Sequence, residues 1–72
     1  MRSEFDEALN RGHAHVIRDE LDEAIAAYTE AIRISPDRAL AYHCRSYAYL
    51  AKGENVKAIE DYAKSNRLLG ET

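Results

Sequence analysis

Seventy-two residues, 46% apolar and 32% charged, make at most one small domain, whose core is marginal unless something adds to it. A net charge of −3, a pI near 5.5 and the absence of any Lys/Arg run leave no electrostatic basis for nucleic-acid binding, and apolar runs such as Ala24–Tyr28 are far too short to span a membrane. Cys44 is the single cysteine, so no internal disulfide can form and a reducing, cytoplasmic setting is expected. The acidic opening Met1-Arg-Ser-Glu-Phe-Asp-Glu7 is unlike a signal peptide, though a fragment of a larger protein would read the same way.

Four helices are expected. The first runs from about Phe5 to Arg18, with Ser3 and Asp6 at its start and Phe5, Ala8, Leu9, Val16 and Ile17 recurring at helical spacing. Arg18-Asp-Glu20 interrupts that pattern. The second, about Leu21–Ile34, carries a broad apolar face of Leu21, Ala24, Ile25, Tyr28, Ala31 and Ile32. Acidic Asp22 and Glu23 sit in its first turn and Arg33 in its last, which suits the helix dipole. Pro36 cannot continue that helix, but its fixed φ suits the first turn of a third, about Asp37–Lys52, with Ser35 as cap. Gly53 ends the third helix, and the fourth runs from about Asn55 to Leu68, near Gly70. Turns this short force neighbouring helices antiparallel.

A shift of 34 residues superposes the two halves. It pairs Arg11 with Arg45, Ala14 with Ala48, Glu20 with Glu54, Ala24 with Ala58, Ile25 with Ile59, Tyr28 with Tyr62 and Arg33 with Arg67. Seven identities, at positions where small or aromatic residues set interhelical distance, make the period meaningful. The halves differ in charge: residues 1–36 carry four basic and eight acidic side chains, residues 37–72 six and five.

On these residues the chain resembles the tetratricopeptide repeat family, whose unit is a pair of antiparallel helices. The family's pattern of an aromatic, Leu-Gly, Tyr, Ala, an aromatic and Pro is met by Ala8, Arg11-Gly12, His15, Ala24, Tyr28 and Pro36. It recurs as Tyr42, Arg45-Ser46, Tyr49, Ala58, Tyr62 and Gly70. The resemblance implies an all-α fold of two stacked antiparallel helix hairpins, a short right-handed α-solenoid. Residues 5–38 would form the first unit and 39–72 the second, within one domain. Gly12 and Ser46 would let the helices of each unit approach closely, with Tyr28, Tyr42, Tyr49 and Tyr62 as core spacers. Arg11 and Arg45, where the family has leucine, are expected to pack their stems and reach a helix-surface acid.

The family binds ligands on the concave surface lined by the first helix of each unit. Carried over, the resemblance implies a groove of Leu9, Asn10, His13, Ile17, Leu40, His43, Cys44 and Tyr47, and helical spacing independently aligns 9/13/17 and 40/44/47. Apolar, aromatic and imidazole groups suit an extended peptide or a partner helix, so the expected function is a non-catalytic protein-interaction module. Some members grip a terminal carboxylate with Lys and Asn; the corresponding places here hold Leu9, His13 and Cys44. No cofactor is implied. His43 and Cys44 diverge by about 100° around one helix, and His13 with Cys44 gives two ligands where a zinc site needs more. The alternative is a structural module whose groove is consumed by self-association, as a homodimer, because two helix-pair units are fewer than such repeats usually need.

Overall fold

Ser3 opens the first helix: its side-chain Oγ accepts the Asp6 N–H at 3.1 Å, and its carbonyl oxygen accepts the Glu7 N–H at 3.0 Å. In a computed structural model describing residues 3–70, that helix, α1, spans Glu4–Ile17. It is followed by α2 (Leu21–Ile34), α3 (Ala39–Lys52) and α4 (Asn55–Leu68), with no strand among the described residues. Helix α1 packs on α2, α3 on α4, and the two pairs meet through α2 and α3. The result is a slab with Cα extents of 32 × 31 × 15 Å.

The turns inside the two pairs are the same device. Asp19 and Gly53 both take positive φ, 61° and 89°. Each is followed by a glutamate whose N–H reaches back into the helix: Glu20 to the His15 carbonyl at 2.8 Å, Glu54 to the Tyr49 carbonyl at 2.9 Å. Asp19 and Gly53 donate to Val16 and Leu50 in turn, completing the paired bonds of a Schellman C-terminus. The glutamate carbonyls then accept the Ala24 and Ala58 N–H groups and start α2 and α4. The repeat thus preserves the connection as well as the helices.

The turn between the pairs differs from the sequence expectation. Ser35 closes α2, its N–H bonded to the Ala31 carbonyl, and does not cap α3. Pro36 and Asp37 form a turn in which the Arg38 N–H donates to the Ser35 carbonyl at 3.3 Å, so α3 starts at Ala39 and not at Asp37. The Tyr42 hydroxyl donates to the Pro36 carbonyl at 3.0 Å, and the Arg38 guanidinium lies 4.3 Å from the centre of the Phe5 ring. A stacked cation therefore pins the start of α3 to α1.

The core lies between the pairs. Phe5, Ala8, Leu9, Ala24, Tyr28, Ala31, Ala41 and Ala48 form one buried cluster, with Val16, Ile25, Ile32, Ile34 and Cys44 packed against it. Gly12 sits against the Tyr28 ring: a Cβ at Gly12 would lie 2.2 Å from a ring carbon. This close approach uses glycine against an aromatic ring. Arg45 behaves as expected of a long stem with an acid in reach. Its guanidinium donates to both oxygens of Asp61, at 2.6 and 2.8 Å, and to the Thr29 hydroxyl at 3.2 Å, joining α3 to α4 and to α2. Arg11 is exposed, beside Glu30.

Candidate interaction groove

Antiparallel hairpins stacked in this way set α1 and α3 side by side, and a groove runs between them. Its lining comes from three helices: His13, Val16 and Ile17 of α1, His43, Cys44 and Tyr47 of α3, and Tyr28 of α2 as the floor. The hollow measures about 350 Å³. Among the described residues no Asp, Glu, Lys or Arg lines it, so its walls are apolar and aromatic apart from two imidazoles, two phenols and a thiol. Ile17 is 85% exposed and Tyr47 59%, large side chains that the chain itself leaves uncovered.

Five of the eight residues expected here, His13, Ile17, His43, Cys44 and Tyr47, line this hollow together. Leu9 does not. It is buried in the core, because residues four apart on a helix drift by about 40° per step, so over the stripe 9/13/17 the direction turns by about 80°. One end of the stripe therefore faces the helix packing and the other faces water. Asn10 is exposed but lies outside the lining. Leu40 borders a neighbouring hollow with Ala39, His43, Tyr62, Ser65, Asn66 and Leu69. Sequence reasoning missed Val16, read only as an apolar helix position, and Tyr28, read as a core spacer. Neither role has a local signal, since both depend on where α3 lands.

Tyr28 and His13 are joined. The phenol oxygen lies 2.7 Å from His13 Nδ1, and the rings meet edge-on with centroids 5.5 Å apart. Burial, helped by Cys44, pushes the Tyr28 phenol up to about 12, so it stays protonated at neutral pH. Burial also raises the Cys44 thiol above its usual range, which suppresses the thiolate that a nucleophile or metal ligand needs. The thiol is half-buried. Among the described residues no group of three or more His, Cys, Asp or Glu side chains could hold a metal ion. Chemically, the groove can bury apolar side chains and exchange a few hydrogen bonds.

The remaining tyrosines part company. Tyr42 and Tyr49 are half-buried beside Arg45, but Tyr62 is 53% exposed where a core spacer was expected. Its counterpart Tyr28 lies over Gly12; Tyr62 borders a hollow together with Ser46, the residue 34 positions after Gly12. The Tyr62 ring instead leans on His43, with centroids 6.1 Å apart.

No helix is long and apolar enough to cross a membrane, among the described residues. Comparison with known proteins agrees with the helical register. A model of the TPR repeat matches residues 12–53, more than half of the chain. The heat-shock protein cognate (HSC) co-chaperone sgt12 of Aspergillus fumigatus is 38% identical over 58 residues, covering 81% of this chain. The chain spans 17% of that relative's length. With two antiparallel helix pairs stacked in the order the match requires, the chain belongs to the tetratricopeptide repeat family.

Proposed function

We propose that the chain is a protein-interaction module, without catalysis of its own, that takes an extended peptide or a partner helix into the groove between α1 and α3. The observation that carries this reading is the uncovered, uncharged lining with Ile17 and Tyr47 standing at its two walls. Large aromatic and aliphatic side chains of this kind are the usual anchors of an interface. Charge decides the class of ligand. With no Lys or Asn in the lining, a terminal carboxylate finds no clamp, and an internal segment with apolar side chains is the better occupant. A co-chaperone relative supports a protein partner without naming this chain's own. A reducing, cytoplasmic setting goes with a free thiol in the groove.

Amide chemical-shift mapping with a panel of apolar peptides tests the reading. Shifts should concentrate at His13, Ile17, Cys44 and Tyr47, and Tyr47→Ala should weaken the best peptide at least about tenfold, as loss of a buried aromatic anchor does. Shifts confined to other surfaces would sink it.

A second reading, self-association as a homodimer, is favoured by a separate observation. Leu40, Leu50, Ile59, Tyr62 and Leu69 are each roughly half or more exposed on the outer side of α3 and α4. These apolar surfaces lie beside the groove and not within it.

A further inference from the structure

The outer face of α3 and α4 has a regular pattern. Leu40, His43, Tyr47 and Leu50 follow one another at steps of three, four and three along α3, and Ile59, Tyr62, Asn66 and Leu69 do the same along α4. Such steps make the seam by which helices interlock. Two adjoining hollows of about 330 and 370 Å³, sharing His43 and Tyr62, run between the stripes. Among the described residues neither is lined by any Asp, Glu, Lys or Arg.

The repeat itself shows what such a face takes. The corresponding face of α1 and α2 is covered by α3, which buries Ala41 and Ala48 against it. A second copy stacking head to tail would offer α1 in the place of α3. The 34-residue shift puts Glu7 where Ala41 sits and Asn10 where Cys44 sits. That would bury a carboxylate against an uncharged, apolar wall at a cost no partner offsets. Pairing the α3/α4 face with itself sets two hollows without charged lining, among the described residues, against each other. Six of its side chains, Leu40, Tyr47, Leu50, Ile59, Tyr62 and Leu69, are 49–68% exposed. At about 200 Å² for a large side chain they present on the order of 700 Å², close to the ~800 Å² per partner of a stable interface.

We propose that the α3/α4 face pairs with the same face of a second copy about a twofold axis, giving a four-helix contact. We further propose that this pairing excludes a ligand from the α1/α3 groove, because His43 and Tyr47 line both surfaces. The inference rests on the homodimer reading and specifies its face and its consequence. Dimer and ligand complex are then alternative states of one module, and a groove ligand acts by shifting the chain towards monomer.

Sedimentation equilibrium of the 72-residue chain, with Ile59→Glu, Leu69→Glu and Ile17→Glu, provides the test. All three side chains are exposed, and circular dichroism checks that each variant folds. The wild type should be dimeric at tens of micromolar. Ile59→Glu and Leu69→Glu should raise the dimer dissociation constant at least about tenfold, and Ile17→Glu should leave it unchanged. Iodoacetamide alkylation of Cys44 should slow at least about threefold from dilute to concentrated wild-type protein and be independent of concentration in Ile59→Glu. A wild-type monomer at high micromolar concentration would overturn the dimer and leave the groove reading standing. A dimer broken by Ile17→Glu and spared by Ile59→Glu would place the contact elsewhere. A dimer whose Cys44 reacts at the monomer's rate would overturn the mutual exclusion.

Discussion

The two helix pairs share one backbone period and fill it with different chemistry. Among the described residues the buried polar side chains are Ser46, Asp61 and Ser65, all in the second pair; 34 residues earlier the same places hold Gly12, Ala27 and Ala31. The first pair is closed by apolar contact: Tyr28 lies on Gly12, and α3 packs on α2. In the second, a guanidinium–carboxylate pair spans the helices, Ser46 turns its hydroxyl back to the His43 carbonyl at 2.6 Å, and the aromatic ring stands out towards solvent. A repeated backbone fixes where side chains point, but burial is decided by whether another helix packs on that face. Where α3 covers the face, small apolar residues are required; at α3 and α4, polar residues are affordable as long as each finds a partner. Among the described residues every buried side-chain nitrogen and oxygen does.

The comparison breaks most sharply at the glycine–serine pair. Gly12→Ala should destabilise the chain by about 2–3 kcal/mol, because the added methyl overlaps the Tyr28 ring and forces it off its His13 bond. Ser46→Gly should cost only about 1 kcal/mol, the price of glycine within a helix. Urea titration followed by circular dichroism measures both. Equal costs would mean that Tyr28 and Tyr62 are equally free to move, and the contrast between the pairs would fail.

Next in size is the ion pair. Asp61→Ala restores the residue of the first pair but strands Arg45, whose side chain is only 18% exposed, so a loss of about 2 kcal/mol is expected. Adding Arg45→Leu should recover most of that loss, since it removes the stranded guanidinium. A double mutant no more stable than Asp61→Ala would show that the bidentate bond is not what holds α3 on α4.

Alkali separates the pairs by a different route. Burial raises the Tyr28 phenol from 10 in the unfolded chain to about 12 when folded. The unfolded state therefore loses this proton first as pH rises. Stability from the protonated phenol is fully present below pH 10 and lost between about pH 10 and 12. Tyr28→Phe should flatten that part of the melting-temperature profile and remove the matching late rise in absorbance at 295 nm.

How much of this was legible follows from how local each cause is. The four helices, their pairing and the Arg45 tether were readable, because apolar spacing, glycine and proline act within a few residues. The start of α3 was misplaced by two residues because the Ser35-Pro36-Asp37 turn competes with helix initiation, and the outcome depends on Arg38 stacking on Phe5 across the fold. In the groove, helical register aligned His13 with Ile17 and Cys44 with Tyr47, while His43 and the facing of the two stripes came from the family resemblance. Leu9 could not be told from them, since a stripe on one helix carries no mark of where the neighbouring helix stops covering it. Tyr28 is a floor because α3 lands over it, and its counterpart Tyr62 stands exposed on the face of α4 that no described helix covers, a difference with no local mark.

The smallest expected effect concerns the turns, where the two pairs are geometrically alike and chemically different. Gly53 takes its positive φ at no steric cost, whereas Asp19 holds φ of 61°, where a Cβ crowds the following carbonyl and costs about 1 kcal/mol. Sequence reading marked Gly53 as a helix end and Asp19 only as polar, although the 34-residue shift places them together. Asp19→Gly should therefore stabilise the chain by up to about 1 kcal/mol, a rise of several degrees in Tm for a domain of this size, with no change in the dimer or the groove. Gly53→Ala should destabilise by a similar amount; open space surrounds the position, so backbone strain alone is responsible. Differential scanning calorimetry of the two variants reads both signs. If Asp19→Gly lowers Tm, the Asp19 side chain contributes more to its turn than its backbone costs, and the two connections are equivalent in shape but not in what holds them.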